Sequence, residues 1–375
     1  MDERDNFTGD NVETDHIEIG QEIPEDQLCR KCGRKRIDRS ENRNSILCHE
    51  CREEQIRYPF PKKMLPAAVI VLALMAVAMA RTPGIIRMYK MYYQAELQSY
   101  RGDVYPALLN LETVMEAYPS SVPVAVSMID IAMEHGYYDA AAYTLSTYLE
   151  GKEVDDSTYS RMMRHTKRLN RYYDTMDQVD ELYASFGETL GQEDLDEEAQ
   201  KAALQGLRDD LEEMTKNADL DKSLLYYYLA TLSEDEEAHR KYLEASVEAD
   251  PKLGFAEVEL GTYRRRTGDL EGARECYESV LKNDNSNAGA LRAMGILKML
   301  EGDKEAGLAD VQKAFDLNPE ENYVRETLII ALMECGKTED AEELRQQFET
   351  EGIEFDVDFL SYLNGEVSLH DYYVN

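Results

Sequence analysis

A chain of 375 residues has room for two or three domains, and its formal charge of −35 is unevenly placed: −9 over residues 1–28, +6 over 29–65 and −32 over 81–375. A body this acidic repels phosphate backbones and anionic lipid, which argues against general nucleic-acid binding; it suits a basic partner or simply keeps the domain in solution, the commoner reason. Six cysteines, four of them within 23 residues, point to metal ligation, not to a secreted disulfide framework.

Residues 1–26 are expected to be a disordered acidic tail. Asp2, Glu3, Asp5, Asp10, Glu13, Asp15 and Glu18 crowd a stretch with few apolar side chains, too few to offset the entropy of ordering it.

Next comes Cys29-Arg-Lys-Cys32-Gly33, then fourteen residues, then Cys48-His-Glu-Cys51. Each Cys-x-x-Cys pair sets two thiolates on one side of a tight turn, and two pairs close a tetrahedral four-thiolate site. Gly33 suits the positive φ such a turn needs. The segment 27–57 resembles a zinc ribbon, which implies a structural Zn2+ on Cys29, Cys32, Cys48 and Cys51. An iron–sulfur cluster accepts four thiolates as well, and spacing alone leaves that open. A redox dithiol fits less well, because no thioredoxin-like strand–helix–strand pattern surrounds the pairs. About thirty residues build no core without such a staple, so metal binding is expected to be a folding event. The intervening loop carries Arg34, Lys35, Arg36, Arg39 and Arg43. Basic residues beside a membrane span follow the positive-inside bias, and nucleic-acid contact is the alternative.

Met64–Ala80 is seventeen residues without a charge, fenced by Lys62, Lys63 and Arg81. With Arg81 snorkelling to the interface the apolar stretch extends to Ile86, long enough to cross a hydrocarbon layer of roughly 30 Å. The expectation is a transmembrane helix over 64–86, and its distance from the N-terminus speaks against a cleaved signal peptide. Basic flanks favour an N-terminus inside only weakly, but a reduced four-cysteine site belongs in a reducing compartment. Together they point to a cytoplasmic ribbon and a large domain beyond the membrane. The combination of ribbon, span and acidic body reads as a bacterial cell-membrane protein.

The large domain repeats itself. Gly261, Gly295 and Ile329 are 34 apart, as are Gly268, Gly302 and Gly336, and Ala273, Gly307 and Ala341. These spacings resemble the tetratricopeptide repeat, a 34-residue helix–turn–helix. Small residues let the two helices approach, glycine ends the first helix in the left-handed region, and proline punctuates the step to the next unit. Units fall at 254–287, 288–321 and 322–355, with another at 220–253. A fainter block over 88–189 keeps Gly102, Gly136 and, in the same helix-ending place, Asn170. Between the blocks, 190–219 reads as an acidic loop over Gln192–Glu198 followed by an amphipathic helix through Leu204, Leu207, Leu211 and Met214, joining both blocks into one superhelix. Residues 356–375 are expected to cap the last repeat.

The fold class is therefore mainly α: a right-handed superhelical α-solenoid with a small zinc ribbon and one transmembrane helix. The resemblance implies a groove that binds a peptide or protein, with Arg265, Arg292, Met299, Tyr323 and Glu326 as its lining. The chain lacks tryptophan, so the bulky aromatic common early in such repeats is replaced by Glu257, Leu291 and Arg325. No metalloprotease, phosphate-loop or nucleophile-elbow motif occurs, and Cys276 and Cys335 lie too far along a solenoid to bridge. The function implied is a membrane-anchored, noncatalytic interaction scaffold. The alternative is a transmembrane sensor whose basic ribbon binds nucleic acid or responds to metal. Oligomeric state is left open.

Overall fold

A computed structural model describes residues 23–57, 64–190 and 197–374. The expected acidic tail and the acidic loop between the blocks lie largely outside these residues. The chain divides into two compact units, Met1–Pro83 and Gly84–Asn375.

In the first unit the cysteine pairs are held by short backbone exchanges, with an isolated bridge between Leu28 and Arg36. Cys29 N donates to Lys35 O at 2.8 Å, Ile37 N to Gln27 O at 2.8 Å and Asp38 N to Leu47 O at 2.9 Å. Gly33 takes φ +63°, as the first turn requires. The second pair is not a turn. Helix α1 (His49–Arg57) begins directly after Cys48, so Cys51 stands in its first turn.

Helix α2 (Leu65–Tyr100) runs 36 residues, about 54 Å at 1.5 Å per residue. It continues through Pro83 and Gly84, so the apolar stretch and the first helix of the repeat domain form one element. Its most apolar eighteen-residue window has a mean hydropathy of 2.1 and no buried residue.

The second unit is a series of helical hairpins. Its elements are α3 (Val104–Ala117), α4 (Val122–Glu134), α5 (Tyr138–Thr144, closed by a π turn over Leu145–Leu149), α6 (Asp156–Leu190), α7 (Glu197–Met214), α8 (Lys222–Thr231) and α9 (Glu236–Ala249). The series continues with α10 (Gly254–Arg266), α11 (Leu270–Asn283), α12 (Ala288–Leu300), α13 (Lys304–Leu317), α14 (Asn322–Glu334), α15 (Thr338–Thr350), α16 (Val357–Leu363) and α17 (Leu369–Val374). No strand occurs among the described residues.

The 34-residue period has direct physical counterparts. Gly102, Gly136, Gly268, Gly302 and Gly336 all have φ between +72° and +95° and end the first helix of a pair. Asp269 and Asp303 then cap the next helix, accepting from Gly272 N and Ala306 N. At Gly295 an added Cβ would lie 2.6 Å from Val311 Cγ2 and 2.8 Å from Gly307 O, so α12 and α13 touch backbone to backbone and only glycine fits there.

Asn170 ends no helix. The segment expected as a third hairpin is the single helix α6, because its apolar and small positions (Met162, Leu169, Thr175, Val179) keep one unbroken face and no glycine follows Asn170 to turn the chain. Met162 and Leu169 belong to the core of the first block, while Val179 packs in a cluster with Leu207 and Leu211 of α7 and Leu225 and Leu229 of α8. Helix α6 is therefore shared by both blocks.

The blocks also meet at their turns, which a simple end-to-end superhelix does not require. Asn285 N donates to Gly102 O at 2.9 Å, Tyr105 N to Ser286 Oγ at 2.9 Å, and Tyr138 Oη to Asp250 Oδ2 at 2.7 Å. Tyr137 reaches Asp284 in the same way. The inter-repeat turns of the second block are thus seated on the hairpin turns of the first.

Candidate functional site

Two places in the molecule gather chemistry, one in each unit. In the first, the four sulfurs of Cys29, Cys32, Cys48 and Cys51 all lie within 4.8 Å of one another, and Cys32 and Cys48 are 3.8 Å apart. A tetrahedral ion with bonds of about 2.3 Å holds its sulfurs about 3.8 Å apart, so this donor set fits a single ion. Several irons, each on its own thiolate, would need the sulfurs more widely spread.

The surrounding backbone favours thiolates. Burial pushes the Cys29 thiol up, but N–H groups of Cys32, Cys48 and Lys31 outweigh it and bring it down to about 6. The N–H groups of Arg34 and Lys35 lower Cys32 likewise. Cys51 is pushed up to about 12, first by the Cys48 sulfur and then by burial, because four adjacent sulfurs cannot all carry charge without a cation among them. Within the basic loop Lys35 is paired with a carboxylate and Arg36 Nε donates to Gln27 Oε1 at 2.9 Å, and two bases outside the loop are paired as well. Lys31 pairs with Glu54 at 2.9 Å, Lys35 with Glu50, and Arg52 with Asp38 at 2.7 Å.

The second place is the row formed by α10, α12 and α14. Helix α12 packs directly on both neighbours as well as on its own partner α13, so the first helices of the pairs stand closest together and form the inner side of the array. The five expected lining residues are distributed unequally over this row. Tyr323 is 62% exposed, and the Arg292 guanidinium lies 5.6 Å over its ring while Nε donates to Thr327 Oγ1 at 3.0 Å. Tyr323 is accessible, and Arg292 is half-buried beside it. Met299 is 2% exposed, within a cluster with Ile296, Val311 and Leu328; it is a packing residue, where the repeat resemblance implied a groove-lining one. Arg265 and Glu326 are also enclosed, at 4% and 5%, by the chain's own C-terminal segment. Arg265 Nη1 donates to the carbonyl of Tyr373, its guanidinium stacks 5.2 Å from the Tyr373 ring, and Glu326 Oε1 accepts from Asp356 N at 3.1 Å. Burial lowers Arg265 and raises Glu326 from their ordinary values.

The sequence reading missed the ionic cluster between the blocks. Arg168 of α6 bridges Asp221 and Asp250, with its guanidinium 4.8 Å over the Tyr138 ring. A signal was present: Asp250 and Asp284 are 34 apart, each just before an inter-repeat turn, and both accept from the adjacent pair Tyr137-Tyr138. Cys276 and Cys335 are free thiols, as expected, and Cys335 Sγ contacts Lys304 O at 3.3 Å.

No family profile and no curated protein matches the chain. Among solved structures, MamA from Desulfovibrio magneticus RS-1 is similar over 46% of this chain and 94% of its own, at 16% identity and a TM-score of 0.34. YrrB, a TPR protein with an unusual peptide-binding site, is similar over 62% and 88%, at 16% identity and a TM-score of 0.25. Yeast Tom70 is similar over 74% and 66%, at 14% identity and a TM-score of 0.36. Superpositions this loose carry no weight for function; the repeat assignment rests on this chain's own helix pairs. The described residues of the second unit form an all-helical array of repeated helix pairs, a pattern that resembles the tetratricopeptide repeat.

Proposed function

We propose that the chain is a membrane-anchored, noncatalytic scaffold that recruits a protein or peptide through its repeat array. The observation that carries this reading is the inner row of α10, α12 and α14, with Tyr323 exposed along it and the half-buried Arg292 against its ring. Tyrosine and arginine are the side chains that most often anchor such contacts. The net charge of −32 over 81–375 favours a basic partner.

Anchoring is supported by α2. Eight large apolar side chains between Val69 and Met79 are each more than half exposed. At about 1.5–3 kcal/mol per side chain, leaving them in water forfeits on the order of 10–20 kcal/mol, which a bilayer restores. The four-cysteine site is assigned to a structural Zn2+ held by Cys29, Cys32, Cys48 and Cys51, because the sulfurs suit one tetrahedral ion and nothing opens a fifth position for chemistry. The ribbon is assigned to the cytoplasmic side of a bacterial cell membrane and the array to the other. Protease added to intact cells should then digest a C-terminal tag and spare an N-terminal one. The reverse pattern would turn the protein over.

A photo-crosslinking residue in place of Tyr323 tests the scaffold reading. Ultraviolet light on intact cells should yield a discrete covalent adduct, lost when Arg292 is changed to Glu. Adducts only from positions on α11, α13 or α15 would move the binding face to the outside of the array. Within the loop that the nucleic-acid alternative would use, Lys35 is already paired with Glu50 of the same module, which counts against that alternative.

A further inference from the structure

The C-terminal segment does not pack as another repeat. After α15 the chain turns at Gly352 (φ +84°), forms α16, turns again at Gly365 (φ +72°), and lays α17 across α10 and α12 of the inner row. The polar side chains of the row meet the main chain of this segment: Arg265 donates to the Tyr373 carbonyl, and Glu326 accepts from the Asp356 N–H. Side-chain-to-backbone bonds of this kind hold a peptide in place whatever its side chains are. Specificity then comes from pockets, and Tyr373 fills one: it is 6% exposed, with its ring on Arg265 and its hydroxyl 3.3 Å from Thr327 Oγ1. Val374 is buried beside it at 8%, while Tyr372 stacks between Tyr373 and Tyr362.

Arg265 is the telling residue. It is enclosed at 4% exposure, it pairs with no carboxylate among the described residues, and its Nε makes no hydrogen bond. A buried guanidinium without a counter-charge destabilises a core that could have used leucine, so its presence points to an acceptor that comes and goes. With α17 lifted away, Arg265 loses the Tyr373 carbonyl and ring, and another main-chain acceptor can take their place.

We propose that residues 366–374 are a resident ligand of the groove, held reversibly, and that the true partner carries a segment of the same chemistry: a short helix with two adjacent tyrosines followed by a branched aliphatic residue. The partner enters as α17 leaves, so the array is closed by default. This inference rests on the scaffold reading of the same groove.

The test uses the whole chain in detergent, intact or lacking residues 366–375, with a fluorescent synthetic peptide of sequence 366–375. The peptide should bind the shortened chain saturably and the intact chain at least tenfold more weakly. A peptide with Tyr373→Ala should lose at least tenfold. A shortened chain that keeps its helical circular dichroism and melt but does not bind the peptide overturns the proposal. If the shortened chain unfolds, hydrogen exchange on the intact chain decides. Amides of α17 that exchange at least tenfold faster than those of α12, through local opening, sustain the proposal; exchange at the α12 rate refutes it. Peptide binding without any cellular adduct at position 323 would leave this inference standing and sink the scaffold reading. An adduct at 323 without peptide binding would do the opposite.

Discussion

If the four cysteines hold the proposed zinc, replacing Cys29 with serine should abolish tight metal binding at that site and leave residues 27–57 without a fold, while the helices from Gly84 onward melt as before. The reason is the size of the module. The described part of it holds one short helix and two buried cysteines, Cys29 at 1% and Cys48 at 3% exposed, with no apolar core of its own. Structural zinc contributes roughly 10–16 kcal/mol in modules of this size, far more than the backbone exchanges at Cys29, Ile37 and Asp38 can supply. Metal analysis of the purified protein should give one zinc per chain, falling to none in Cys29→Ser. Retention of stoichiometric metal by the variant would show that the ligands are misassigned. Affinity should also depend on acidity in a fixed sense. Bound thiolates carry no protons, whereas metal-free Cys51 sits at about 12 and Cys29 at about 6, so binding releases protons. Affinity therefore falls as pH falls, and more steeply below about pH 6, where Cys29 also protonates.

Arg168→Ala should destabilise the repeat domain by about 3–5 kcal/mol at pH 7. Arg168 is 24% exposed and lies between Asp221 at 3% and Asp250 at 12%, so its removal leaves two enclosed carboxylates without a cation. Arg168→Lys should recover only part of the loss, since an ammonium cannot fork to both acids as the planar guanidinium does. Burial raises the Asp250 carboxyl, but bonds from Tyr138 and Arg168 outweigh it and hold it below the usual carboxylate range. A carboxyl lowered in this way adds stability above its unfolded value, about 3.9, and loses it as pH falls through the folded value. In the alanine variant burial dominates and the carboxyl rises. The gap between the two proteins is therefore widest near pH 7 and smaller at about pH 4, where the variant's raised carboxyl is already taking up its proton; it closes only as pH falls through the lowered folded value of the intact protein. Urea unfolding at both values measures it, and coincident curves at pH 7 would mean that the cluster adds nothing.

Much of this molecule was legible because a few of its requirements admit few residue types. A left-handed turn calls for glycine, so Gly268, Gly302 and Gly336 announce the hairpins from spacing alone, and four thiolates in two close pairs announce a metal. The straight run of α6 was not legible in the same way. Asn170 tolerates both the helix and the turn, and the choice was made by Thr175 and Val179 packing on elements far along the chain. The occupied groove was hidden for a related reason. Family resemblance assigns Arg265 and Glu326 to a partner, and nothing local in Tyr372-Tyr373-Val374 says that the chain fills the place itself. Arg168 carries no local sign of its role, since a basic side chain on a helix usually faces water, whereas here it faces Asp221 and Asp250.

The seam between the blocks joins Gly102 to Asn285 and Tyr105 to Ser286, 181 residues apart in the second case. At roughly 5–20 residues per second of synthesis, the backbone groups at the first block's turns stay bare for about 10–40 seconds before their partners leave the ribosome. Any nascent-chain factor that shields this edge has that interval in which to act, and stalling the ribosome before residue 284 should trap the chain with the edge uncovered.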